Sequence, residues 1–135
     1  MQPDGATPVL RAWRAKAAGD LEAARVCLAT STVPAWIVGF HLQQAAEKAF
    51  KGMLVAAGCE PPRTHDLVRL HQMLSERGCR HPLSPANITL LQPFAVEDRY
   101  PLLLPTDGDR QELRAAWDAV ARLVDTLAKL TPPDP

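Results

Sequence analysis

The stretch Ala35-Trp36-Ile37-Val38-Gly39-Phe40-His41-Leu42-Gln43-Gln44-Ala45-Ala46-Glu47-Lys48-Ala49-Phe50-Lys51-Gly52-Met53-Leu54-Val55-Ala56-Ala57 decides the fold class. It has no proline, and its apolar residues recur every three or four positions, which is the period of an α-helix. At about 100° per residue, Val38, Leu42, Ala45, Ala49, Met53 and Ala56 fall on one face of small apolar side chains that allows close helix contact. The opposite face carries Trp36, Phe40, Gln44, Glu47, Lys51 and Leu54, polar in the middle and apolar at both ends. A solvated face rarely carries both Trp and Phe, and a core face rarely carries Glu and Lys. A second contact surface is therefore expected there, to another helix or to another protein. Glu47 and Lys51 stand in the favourable i,i+4 order. They form either an exposed surface pair or a polar network at an interface or groove.

The thirteen prolines punctuate the chain, and the intervals between them predict the other helices. A first helix is expected from Thr7 to Ala29, with Trp13, Ala17, Leu21, Ala24 and Leu28 as its apolar stripe, followed by a turn at 31–34 with a capping hydroxyl. Gly58 is a C-terminal stop for the second helix. A third is expected over Asp66–Glu76, capped by Thr64 or Asp66 and ended by Gly78. Ser84-Pro85 opens a fourth, which Pro93 interrupts. Leu102-Leu103-Leu104 is expected as an apolar loop packed on the bundle. Asp107-Gly108-Asp109 then starts a fifth helix ending near Leu130, with the stripe Leu113, Trp117, Val120, Val124 and Leu127. The prediction is all-α: an antiparallel up-and-down bundle of four long helices plus a short one. It forms a single domain over 1–135, with a core at about 7–130 and a flexible tail at 131–135.

Composition agrees. Alanine and leucine dominate while aromatics are 5%, which favours close-packed helices over a sheet. Fifteen basic and fifteen acidic residues leave no formal net charge, so a broad basic surface for non-specific nucleic-acid binding is not expected. The three cysteines, Cys27, Cys59 and Cys79, have neither disulfide-framework nor zinc spacing, and no metal or cofactor is expected. No signal-peptide pattern opens the sequence, and no uncharged apolar run approaches the roughly 18 residues of a membrane span. A cytoplasmic protein with reduced thiols is expected.

Phe40-His41-Leu42-Gln43-Gln44-Ala45-Ala46-Glu47-Lys48-Ala49-Phe50-Lys51, followed by Thr64-His65-Asp66-Leu67, resembles the signature of the HEPN domain family. Gly19-Asp20-Leu21-Glu22-Ala23-Ala24 is similar to part of that family's first helix, and Arg99-Tyr100-Pro101 to its R-Y-P segment. The resemblance implies a helical bundle that usually forms a homodimer and pairs with a small nucleotidyltransferase-type protein. It also implies a role in toxin–antitoxin or stress systems, with nucleotide or RNA as ligand. One branch of the family consists of metal-independent endoribonucleases with an R-x(4–6)-H motif.

That motif is not found. Arg63 and Arg69 each precede a histidine (His65, His71) by one intervening residue, Arg77 precedes His81 by three, and Arg99 has no histidine after it. No GxGxxG or GxxxxGK[ST] phosphate loop occurs, and the adjacent Glu97-Asp98 carboxylates point differently on a helix. No catalytic residue is assigned. Ligand or partner binding is expected at Lys48, Lys51, His65, Asp66, Arg99 and Tyr100, because lysine and arginine recognise phosphate. Lys48, Lys51 and Arg63 would meet a phosphate if the Cys59–Arg63 connector folds back over the second helix. His65-Asp66 has the alternative role of capping the third helix. A dimer face is expected at Trp36, Phe40, Gln44, Glu47 and Leu54. Two further readings stay open: a metal-independent endoribonuclease with Arg99 and either His65 or His41 in one cleft, and a dimeric structural domain without a ligand.

Overall fold

The structure, a computed structural model, describes residues 6–95 and 110–133. The elements are α1 (Ala6–Leu28), α2 (Ala35–Ala56), α3 (Leu67–Glu76), α4 (Pro85–Leu91), a 3-10 turn (Gln92–Ala95) and α5 (Arg110–Leu130). The described residues contain no strand, in line with the all-helical prediction.

α2 is the axis. It contacts α1 and α5 as well as α3, α4 and the 3-10 turn, with Gly52 against Trp13 and Leu127 and Gly39 against Phe94. Val38, Leu42, Ala45, Ala49 and Met53 are buried as the period predicts. α1 runs antiparallel to α2: Trp13 meets Gly52, whereas Asp20 meets His41 and Lys48. α5 returns along α1, with Trp117 Nε1 donating to Leu21 O at 3.1 Å and Arg11 donating to Pro133 O at 2.6 Å. Leu10, a position outside the predicted α1 stripe, is fully buried.

The helix ends follow their sequence signals. Gly58 (φ 80°) and Gly78 (φ 70°) take the left-handed conformation that glycine allows without a Cβ clash. Each is followed by a backbone bond that closes the last turn, Cys59 N to Leu54 O at 2.8 Å and Cys79 N to Leu74 O at 2.9 Å. Ser84 and Asn87 form a capping box, with Pro85 in the first turn. Proline 93 has no N–H to continue α4, and the backbone tightens into the 3-10 turn instead.

Two expectations change. No hydroxyl caps α2: its first residue follows Pro34, which has no side-chain hydrogen bond to offer. The α1–α2 turn is held by Arg110 instead, whose guanidinium donates to the carbonyls of Val33 (2.7 Å), Cys27 (2.6 Å) and Thr30 (2.8 Å). The tail does not leave the bundle at 131, because Thr131 is buried and bonds Leu127 O. The expected Leu102–Leu104 loop lies outside the described residues.

Candidate functional site

The second face of α2 turns inward over its C-terminal half. After Gly58 the connector folds back along α2 toward α3, and Glu47, Lys51 and Leu54 are buried inside the chain rather than open to a partner. For Glu47 and Leu54 this corrects the expected dimer face. Trp36 is exposed, and Phe40 and Gln44 are half-buried.

Glu47 is the hub. One carboxylate oxygen accepts from Lys51 Nζ at 3.0 Å and the other from His65 Nδ1 at 2.8 Å. The side chains of Glu47 and Lys51 are 5% and 9% exposed, whereas that of His65 is 68% exposed. Gln43, fully buried, donates from Nε2 to the His65 carbonyl at 3.0 Å and accepts from Gln44 at 2.7 Å. The Glu47–Lys51 pair is thus the polar network, not the surface pair. A buried carboxylate needs such partners, since an unpaired one would carry its full desolvation cost.

Lys51, although buried, also borders a groove. Its ammonium lies 5.7 Å from the centre of the Trp13 ring and lines this groove, of about 340 Å³, with Val9, Trp13, Glu60, Pro61, Pro62 and Arg63. The connector does fold back to bring Arg63 and Lys51 to one groove. Arg63 is exposed and has no partner among the described residues. The prolines and the indole give apolar walls, and Lys51, Arg63 and Glu60 are the charged groups of the lining, Lys51 being shared with Glu47.

Lys48 is placed elsewhere. It pairs with Asp20 on α1, and the other Asp20 oxygen accepts from His41 Nδ1 at 3.0 Å. Asp66 caps α3, accepting from Val68 N at 3.0 Å and Arg69 N at 3.3 Å, the structural role open to it in sequence. Its carboxylate also accepts from Gln92 Nε2 at 2.9 Å, while Gln92 Oε1 accepts from Leu67 N. Arg99 and Tyr100 lie outside the described residues.

Asp20, Gln43, Gln92 and Trp13 are members that the sequence did not assign to a site. Asp20 had a signal: it sits three residues after Ala17 and four before Ala24, an acid at the margin of the α1 apolar stripe. Gln92 had none, because its partner is distant in sequence.

The remaining histidines face each other. His81 Nδ1 accepts from Leu83 N at 3.1 Å, so its proton is on Nε2 and is donated to His71 Nδ1 at 2.8 Å. Phe50 packs on the His81 ring, and burial, with His71 adding to it, pushes the His81 pKa down to about 4. A metal on His81 Nε2 would require an imidazolate, since the other nitrogen already accepts a backbone N–H. Among the described residues no group of three His, Cys, Asp or Glu is placed to hold a metal, and no helix is long and apolar enough to cross a membrane.

A family model described as the HEPN domain matches residues 10–130, a span that includes Asp20, the α2 string and His65-Asp66. The chain belongs to the HEPN domain family. No curated protein and no solved structure matches it. In this HEPN domain the α2 string therefore builds two carboxylate–histidine pairs, Asp20–His41 and Glu47–His65, on the two sides of one helix.

Proposed function

We propose that this HEPN domain is a binding and interaction module that takes a phosphate-bearing ligand, a nucleotide or an RNA, in the Lys51–Arg63–Trp13 groove. The observation that carries it is the pairing of two cations with an aromatic wall across the α2–α3 connector. A phosphate would engage the exposed Arg63 through its planar fork and Lys51 through the ammonium hydrogens not given to Glu47. The indole and prolines would flank a base, since stacking on an aromatic face is tolerant of base identity. Lys48 and Asp66 support the scaffold around this groove, and Arg99 and Tyr100 are proposed as further ligand or partner contacts.

The same reading has the module act as a single-domain homodimer beside a nucleotidyltransferase-type protein in a toxin–antitoxin or stress-type system. Trp36 and Phe40, the apolar residues left at the N-terminal end of α2, are its dimer contacts. Titration with ATP and with a short single-stranded RNA, alongside light scattering, tests both parts. Saturable binding by a dimer is expected. A monomer at tens of micromolar would refute the dimer, and RNA cleavage by the wild type would favour the endoribonuclease instead.

A further inference from the structure

We propose that His65 is a phosphoryl-acceptor site, with Nε2 as the nucleophile and Glu47 as the group that fixes its orientation. An exposed histidine ordinarily exchanges tautomers and rotates its ring. His65 does neither freely, because Nδ1 is held on the buried Glu47 carboxylate and its own carbonyl is held by Gln43. The following residue, Asp66, is fixed as the cap of α3. With the Nδ1 proton given to Glu47, the lone pair is at Nε2, which has no partner among the described residues on a ring that is 68% exposed. A nucleophile aligned by a base-side partner that is itself held in place is the arrangement covalent catalysis uses.

Holding the connector does not require this. The Gln43 bond to the His65 carbonyl, the Asp66 cap and the Gln92 clamp already fix the chain there. The other three histidines lack the combination. His41 is anchored on Asp20 but half-buried against Phe40, while His71 and His81 are engaged with each other.

The charges nearby bear on the electrophile. Lys51 offsets the Glu47 carboxylate behind Nδ1, and Arg63 and Asp66 flank His65 in the chain with opposite charges, so an anionic phosphoryl donor is not repelled from Nε2. The donor is an acyl phosphate or a phosphoramidate. The Nε2 lone pair attacks phosphorus, the N–P bond forms as the P–O bond to the acyl carboxylate (or the P–N bond of the phosphoramidate) breaks, and the carboxylate (or ammonia, after taking a proton) leaves. The Nδ1 proton stays in the hydrogen bond to Glu47, which offsets the positive charge developing on the ring.

The test is incubation of the full chain with acetyl phosphate and with phosphoramidate, followed by site-resolved mass spectrometry and 31P NMR. One acid-labile phosphoryl group on His65 is expected, forming about tenfold or more faster than on His41, and that preference should vanish in the urea-unfolded chain. Glu47→Gln, if folded, should slow the His65 reaction by about 10- to 100-fold, by analogy with the loss of the carboxylate behind a metal-ligating histidine. Equal labelling of all four histidines in the folded chain, no label on His65, or a wild-type rate in folded Glu47→Gln would overturn the proposal.

Discussion

Gly39 lies directly beneath the ring of Phe94: a Cβ at position 39 would stand 2.3 Å from Phe94 Cε1. No side chain fits there, so the 3-10 turn after α4 sits against the bare backbone of α2. Gly39→Ala must displace an aromatic ring that is itself buried, and overpacking of this kind typically costs about 1–3 kcal/mol. A lower thermal midpoint is expected, and a midpoint at or above wild type would show that the turn moves freely. At Gly52 the corresponding atoms are the Leu127 methyls at 2.8 Å, the far end of a flexible side chain, and Gly52→Ala should cost less.

Arg110 joins three segments, because its guanidinium gathers carbonyls from the end of α1 and from the turn before α2. Arg110→Ala leaves those carbonyls without their shared donor and should lower stability by about 2 kcal/mol, within the range for hydrogen bonds to charged groups. Arg110→Lys should recover only part of it, since an ammonium lacks the planar fork. Urea denaturation checks this, and equal stability of all three proteins would assign the turn to other contacts.

These two contacts also mark how far the sequence reaches. The period-3.6 stripes and the Gly58, Gly78 and Ser84-Pro85 signals place all five helices to within a few residues, because those signals are local. The Arg110 clamp and the Gln92 bonds to α3 join residues far apart in the chain, and nothing in either residue's neighbours announces them. Glu47 was legible as half of an i,i+4 pair. Its burial was not, because the cover comes from a connector whose path depends on the left-handed turn at Gly58. Lys48 and Lys51 sit on different sides of α2, the first paired with Asp20 on α1 and the second with Glu47 one turn earlier on α2 itself.

His81 makes the fold sensitive to acid. Its folded-state pKa is lowered from 6.5 to about 4 by burial, so the unfolded chain binds its proton more readily and stability rises with pH through that window. The contribution is complete above about 6.5 and is lost as pH falls toward about 4. The ring is half-buried, so screening limits the loss to about 1–2 kcal/mol. Thermal midpoints measured across this range should fall more steeply for wild type than for His81→Asn. Parallel curves would remove His81 from the acid response.

The groove between Trp13, Lys51 and Arg63 is the proposed seat of a phosphate-bearing ligand. Arg63 is the residue to change, because it is exposed and its loss leaves no buried charge, whereas Lys51→Ala would strip Glu47 of a partner. Calorimetric titration of wild type and Arg63→Ala with ATP and with a short single-stranded RNA is the most direct measurement. The prediction is saturable binding by wild type and a loss of about 1.5–3 kcal/mol, roughly 10- to 100-fold in Kd, in Arg63→Ala, with the melting temperature unchanged. No binding of either ligand by wild type, or the same Kd in both proteins, would contradict it.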